Sequence, residues 1–232
     1  MNQPTPKCTK RVGNIICSNC KEFDIIKYGK SKYGKQRYQC EECRKVFIEH
    51  YTYEAYRNTT NSWIVRLTKE GISIRSIARL LHICCTTVQK RILFYCSLLN
   101  KPAVPLNQTY EVDELCTYIG NKSNRIWAAY SYCRENRSVV DFVIGSRSKT
   151  TLIPLINRLL NSFPKKIYTD KHQTYAALIP DNLHSTKCRG TNHIERMNLT
   201  LRTHLKRLNR RTICFSRSTA MLHACLMIYF FG

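Results

Sequence analysis

The sequence is short of acid. Fifteen Asp and Glu stand against 38 Lys and Arg in 232 residues, a net charge of +23. A surplus of that size argues for a polyanionic partner, because lysines and arginines gain by releasing the counterions condensed on nucleic acid. It argues against an enzyme of small metabolites. The imbalance is chain-wide: residues 1–58, 59–101, 102–190 and 191–232 carry +6, +6, +5 and +6, so no single tail supplies it. Long apolar runs are lacking too. None approaches the roughly 20 residues of a membrane-spanning helix, and the apolar stretch 220–231 is short and interrupted by His223. The first residues, MNQPTPKCTKRVGN, are polar and lack the apolar stretch of a signal peptide. There is no internal repeat and no low-complexity tract. Without an export signal, the 13 cysteines read as reduced thiols of a cytosolic protein, some of them bound to metal.

Four of those cysteines are ordered. Cys17-Ser-Asn-Cys20 and Cys40-Glu-Glu-Cys43 form two CxxC pairs with 19 residues between them. Two residues between thiolates let both sulfurs turn toward one ion, and two such knuckles close a tetrahedral zinc site with no position left for catalysis. The segment has too few apolar residues to fold without metal. Cys8 is a spare thiol beside this set and reads as a bystander. Lysines and tyrosines interleave around the knuckles, a mixture suited to phosphate contact with some stacking and equally to a solvated basic loop.

Residues 62–100 turn helical. Trp63, Leu67, Ile74, Ile77, Ala78 and Leu81 fall at helical spacings, with a break at Gly71. Ser73 is placed to cap the second helix, and Thr86 with Gln89 has the capping-box pattern for a third. This is a helix-turn-helix layout, whose last helix enters the major groove by its first turns. Thr86, Thr87, Gln89, Lys90 and Arg91 are the candidate DNA contacts; Val88, Ile92 and Tyr95 face the core.

After the proline-bearing linker 101–108 the period changes to that of strands: 110–119, 126–133 and 139–144, a three-strand meander with turns at GNKSNR and RENRS. An amphipathic helix over 150–163, a short strand at 166–169, a short helix at 174–178, a further strand at 184–188 and a long helix over 191–210 complete a mixed α/β pattern. Three carboxylates stand out by position. Asp113 lies in the first strand, Asp170 at the tip of KKIYTD, where open α/β sheets place ligands, and Glu195 opens the long helix. Acids converging at a sheet edge suit a pair of hard cations for phosphoryl transfer. Arg202 and Lys206 fall within about 20° of Glu195 around a continuous helix, a basic stripe for a DNA backbone; Arg196, off that stripe, is a further cation for the electrostatic work. Glu114 and Asp141 are reserve acids, Glu114 because it points to the opposite face from Asp113. His193 reads as a helix-start residue.

The chain resembles the transposases of the insertion sequence one family. The resemblance spans nearly its whole length: CSNC and CEEC with QRYQC before the second, the helix-turn-helix stretch, EVDEL, the YTD strand end, and HIERMNLTLRTHLKRLNRRTICFSRS. It departs at Cys116, often tryptophan in the family, at Lys171-His172, usually Gly-Trp, and in a C-terminus shorter than the family's. The resemblance implies a multi-domain α+β and α/β fold. Its parts are a zinc ribbon-like module (1–58), a small helix-turn-helix domain (59–101) and an RNase H-like mixed sheet with flanking helices (102–232). It implies that Asp113, Asp170 and Glu195, with 56 and 24 residues between them, are the DDE triad. These would hold two catalytic Mg²⁺ (or Mn²⁺), beside a structural Zn²⁺ on Cys17, Cys20, Cys40 and Cys43. The implied activity is binding of the element's own terminal inverted repeats, metal-dependent strand cleavage and strand transfer. The partners are double-stranded DNA and further copies of the chain, in the cytoplasm at the nucleoid and not at a membrane. The alternative is a catalytically inactive, sequence-specific DNA-binding protein: a transposition repressor or decayed copy.

Overall fold

The computed structural model describes residues 13, 15–50, 53–57, 59–187, 190–209 and 211–232, with Tyr56 described by its backbone alone. Cys8 and the end of the strand expected at 184–188 lie outside the described residues. The chain divides into two compact units, Met1–Arg57 and Asn58–Gly232.

In the first unit, β1 (Ile25–Lys30), β2 (Gln36–Cys40) and β3 (Val46–Phe47) form an antiparallel sheet in that order. Its core is small: Ile15, Ile25, Tyr38 and Phe47 close around Cys17 and Cys40. So little apolar surface cannot offset the entropy of ordering the segment, which is why the sulfur cluster matters to its folding.

The second unit begins with three helices, α1 (Thr60–Lys69), α2 (Ile74–Leu80) and α3 (Cys85–Leu98). Ser73 caps α2 as expected, its side chain accepting from Ser76 N at 3.1 Å. The Thr86–Gln89 capping box does not form. The third helix starts two residues earlier than expected, at Cys85, with Cys84 at the cap position and no side-chain cap bond. Ile64, Ile77, Val88 and Ile92 make the helical core, whereas Trp63 is 48% exposed with Arg66 over its ring. Gly71 takes φ +69°, and a Cβ there would lie 2.0 Å from the His204 carbonyl oxygen.

The sheet follows, in the order β6-β5-β4-β7-β8. Strands β4 (Thr109–Ile119), β5 (Asn121–Cys133) and β6 (Ser138–Gly145) form the expected meander. The residues read as its first turn instead continue β5, because Gly120 at φ +74° reverses the chain at once. Helix α4 (Lys149–Leu160) crosses over to β7 (Lys166–Tyr168), which runs parallel to β4. Then come α5 (Gln173–Ala176), β8 (His184–Ser185), α6 (Asn192–His204) and α7 (Thr219–Phe231). One face of β4 (Tyr110, Val112) packs on α4 and Tyr175; the other (Leu115, with Tyr130 of β5) packs on α6 and α7. Helix α7 is buried on nearly all sides, since it lies between that sheet face and helices α1 and α3.

Helix α6 is shorter than expected. It ends at His204, where Leu205 turns extended and residues 206–208 form a 3-10 turn. The bend lets the Arg207 carbonyl accept from Thr117 Oγ1 at 2.7 Å while Leu205 and Leu208 both stay buried. Among the described residues, no helix is long and apolar enough to cross a membrane.

Candidate functional site

The four cysteine sulfurs lie within 4.8 Å of one another, with Cys17–Cys43 and Cys20–Cys40 each at 3.5 Å. A tetrahedron of zinc–sulfur bonds of about 2.3 Å has edges of about 3.8 Å, so the donor set fits a zinc ion. Each knuckle is closed by a left-handed residue after its second cysteine, Lys21 at φ 67° and Arg44 at φ 58°. Burial pushes the Cys17 thiol up, but the backbone N–H groups of Cys20 and Asn19 outweigh it and leave it at about 6. The Glu22 backbone lowers Cys20, yet burial and the surrounding sulfurs push it up to about 12. Crowded sulfurs that resist joint ionisation are what a bound cation relieves.

The second cluster is acidic, and the sheet register builds it. Parallel β4 and β7 pair Thr109 with Lys166 and Glu111 with Tyr168. Two residues further, the same register sets Asp170 beside Asp113. One carboxylate oxygen from each of Asp113, Glu114 and Asp170 lies within 4.8 Å of the others. Glu114 does leave β4 on the face opposite Asp113, but both meet Asp170 because β7 has ended and the strand edge is open. Arg147, between β6 and α4, holds two of the three: its Nη2 donates to Asp170 Oδ2 at 2.8 Å and Glu114 Oε2 at 3.3 Å. Its guanidinium lies 5.0 Å over the Trp127 ring. Burial raises Asp113 to about 6; donation from Glu114 N–H and Asn198 opposes this, and the charges of Glu114 and Asp170 add to it. The cluster is all oxygen and carries excess negative charge, the donor set of a hard divalent cation.

Glu195 reaches this region through its helix. It is exposed, and its Oε1 accepts from Thr191 Oγ1 at 2.7 Å. One turn later on α6, Asn198 Nδ2 donates to Asp113 Oδ2 at 2.6 Å, which sets the Glu195 turn of the helix beside β4. Glu195 is not among the three acids whose oxygens gather within 4.8 Å. Arg196 is exposed on the same turn. Because α6 ends at His204, Lys206 does not continue the stripe of a straight helix. It and Arg202 nonetheless line one open cavity of about 720 Å³ with Leu199, Asn209 and Arg211.

On α3, Thr86 and Lys90 are exposed, Thr87 and Gln89 half-buried, and Arg91 donates to Asn61 Oδ1 of α1. Asp141 is buried in ion pairs with Lys101 (2.6 Å) and Arg158 (3.2 Å), fastening the linker and α4 to the sheet. His193 serves the helix start: its Nδ1 meets Glu111 Oε1 at 2.7 Å and its ring stacks on Tyr132. Sequence reasoning passed over Arg147, Asn198 and Glu111. Asn198 stands at i+3 from Glu195 on the same helical face, a signal that was available; Arg147 and Glu111 depend on through-space neighbours and left none.

An α/β domain with an oxygen-donor site at the open edge of its sheet, carried on a strongly basic chain, defines the class. Residues 108–231 match the family model described as IS1 transposase, and the chain belongs to that family. The insertion element IS1 protein InsB of Shigella flexneri is 40% identical over 112 residues, 48% of this chain and 85% of that protein. The insertion element IS1 4 protein InsB of Escherichia coli (strain K12) is also 40% identical over 112 residues, 66% of its own length. A chain of the simian T-cell lymphotropic virus intasome in complex with PP2A regulatory subunit B56 gamma aligns over 71% of this chain and 65% of its own. The identity is 16% and the TM-score 0.35, too loose a likeness to carry a functional reading.

Proposed function

We propose that this chain is a DNA transposase that binds the terminal inverted repeats of its own element and performs metal-dependent strand cleavage and strand transfer. The observation that carries the reading is the β4–β7 register, which sets Asp113 beside Asp170 at an open sheet edge, with the helix bearing Glu195 hydrogen-bonded to Asp113 through Asn198. In this reading residues 102–232 form an RNase H-like DDE domain, and Asp113, Asp170 and Glu195 hold a pair of Mg²⁺ ions. Bound there, divalent ions would activate the attacking hydroxyl and stabilise the leaving oxygen.

The chain's own residues do the remaining work. Asn198 orients the Asp113 carboxylate, and Arg147 holds Asp170 at the edge. Arg196, Arg202 and Lys206 offer cations to the phosphodiester backbone and supply fixed electrostatic stabilisation of charge developing on it. Thr86, Thr87, Gln89 and Lys90 read the duplex, while Arg91 anchors α3 to α1 and acts on DNA through that helix. The Cys17, Cys20, Cys40 and Cys43 module, built on zinc, adds backbone contacts. Two element ends must be held together, so the active form is a homo-oligomer on DNA.

Single-turnover cleavage and strand transfer on an end-sequence duplex with Mg²⁺ test the reading. Activity in the intact chain, lost in Asp170→Ala, is the expected result. Tight, specific end binding with no cleavage under any divalent ion would instead make the chain a transposition repressor.

A further inference from the structure

Glu111 is fully buried (0% exposed) on β4, two residues before Asp113 and on the same strand face. Its Oε1 accepts from Arg134 Nε at 2.6 Å and meets His193 Nδ1 at 2.7 Å. Its Oε2 accepts from the backbone N–H of Ile194 at 2.8 Å. Thr191, at the cap position of α6, makes no side-chain cap bond. A carboxylate from another element therefore supplies the acceptor that the helix's first turn needs.

Arg134 extends the connection. Its guanidinium lies 4.0 Å over the ring of Tyr168, two residues before Asp170, and its Nη2 donates to the carbonyl of Gly190 on the approach to α6. Gly190 is itself tight against the same ring: a Cβ there would lie 2.6 Å from Tyr168 Cδ1. Ile194 immediately precedes Glu195. All three acid-bearing segments are thus tied to one ion pair, one or two residues upstream of the acid: Glu111 for Asp113, Tyr168 for Asp170, Ile194 for Glu195.

We propose that Glu111 and Arg134 are a positioning pair that sets the three acids in register for one divalent-metal site. The proposal rests on reading Asp113, Asp170 and Glu195 as that site. The pair does not touch the ligand oxygens; it acts by fixing two strand ends and a helix start relative to each other. A pair of this kind is a costly way to gain stability, since a fully buried carboxylate with a half-buried guanidinium loses about as much in desolvation as it recovers. What an apolar pair of similar volume lacks is direction: three donors converging on two oxygens, and a planar cation seated on a ring.

The test is Mn²⁺ binding to the zinc-loaded full-length chain, followed by electron paramagnetic resonance, in Glu111→Gln and in Glu111→Leu/Arg134→Leu. The first keeps an acceptor for Ile194 N–H; the second replaces the ion pair with apolar volume and leaves no unpaired charge. Leu155→Ala, in the core on the far side of the sheet, measures what destabilisation alone does. Glu111→Gln should raise the Mn²⁺ half-saturation several-fold and the double variant roughly ten-fold or more, at a temperature where circular dichroism shows the variants folded. Leu155→Ala should lower the melting temperature and leave the half-saturation in place. Wild-type Mn²⁺ affinity in Glu111→Gln overturns the proposal, and Glu111→Gln alone decides if the double variant does not fold. Asp113→Asn separates the two levels: if it binds Mn²⁺ as the intact chain does, the metal-site reading falls, and the positioning role with it. If Asp113→Asn loses Mn²⁺ while Glu111→Gln keeps it, only the positioning role falls.

Discussion

Asn198 joins helix α6 to Asp113 in a fixed orientation. Its Nδ2 donates to Asp113 Oδ2 at 2.6 Å, and its Oδ1 accepts from the Tyr130 hydroxyl at 2.7 Å. An ionised carboxylate can only accept, so it turns the amide's donor toward Asp113 and leaves its oxygen for the tyrosine hydroxyl. Asn198→Ala removes both bonds. Residues that orient a metal-binding carboxylate typically matter by 10- to 100-fold, so DNA cleavage should fall by roughly that factor. End binding, measured by fluorescence anisotropy, should stay within about two-fold, because the duplex contacts proposed for α3 are untouched.

Asp113 makes a signed pH prediction. Burial holds its folded-state pKa at about 6, above the ordinary 3.8. Between these values the folded state binds the proton that the unfolded state has released. The metal-free protein therefore loses stability as pH rises from about 4 through 6, by about 2–3 kcal/mol from this group. The difference in urea midpoint between wild type and Asp113→Asn should change across that range. Equal slopes in the two proteins would remove the carboxylate as the cause. Mg²⁺ should reverse the effect, since it selects the ionised form.

Gly71, between α1 and α2, packs against the end of α6. A Cβ would stand 2.0 Å from the His204 carbonyl oxygen, at a backbone φ of +69°. Gly71→Ala therefore suffers both a backbone clash and left-handed strain. It should cost about 3 kcal/mol, which for a chain of this size lowers the melting temperature by roughly 10 °C. A calorimetric shift under 2 °C would mean that this contact does not persist in solution.

Lys90 and Arg91 are neighbours in sequence with different expected phenotypes. Lys90 is exposed, whereas Arg91 is bonded to Asn61 of α1. Lys90→Ala should weaken end binding, reduce the slope of log affinity on log salt by about 1, and leave the melting temperature unchanged. Arg91→Ala should lower the melting temperature. A salt-slope change from Arg91→Ala larger than that from Lys90→Ala would reverse the assignment.

Zinc removal should act on the first unit. Only a few apolar side chains pack around the cysteines, so chelation or Cys40→Ser should expose residues 15–50 to protease. The far-UV helical signal should largely remain, because α1 to α7 all belong to the unit Asn58–Gly232. Metal analysis should give one zinc per wild-type chain; a zinc-free chain with intact protease resistance would contradict a structural role.

Much of the site was legible from local spacing. The CxxC pairs converge because a two-residue knuckle has one tight geometry. Most strands and helices lie close to where their periods of 2 and 3.6 place them; α6 stops short of its expected end, and α7, apolar on nearly all sides, shows no helical period. Asp170 at a strand tip follows from the open-sheet rule. The opposite orientation of Asp113 and Glu114 follows from strand alternation, and it holds. Glu114 nevertheless joins the acidic cluster, because the end of β7 leaves room for both side chains to reach Asp170.

The amino-acid order alone thus decides the sulfur cluster, the capped helix after Gly71, the meander and the short supply of acid that makes each carboxylate conspicuous. These are short-range consequences of covalent geometry and composition. Packing alone decides the rest: that α6 stops at His204, that Arg91 faces α1, that Arg147 reaches Asp170, and that Glu111 with Arg134 gathers three distant segments. Each of these is a contact between residues far apart along the chain, which exists only once the elements have docked. Desolvation inside the packed domain then forces every buried charge to find a partner.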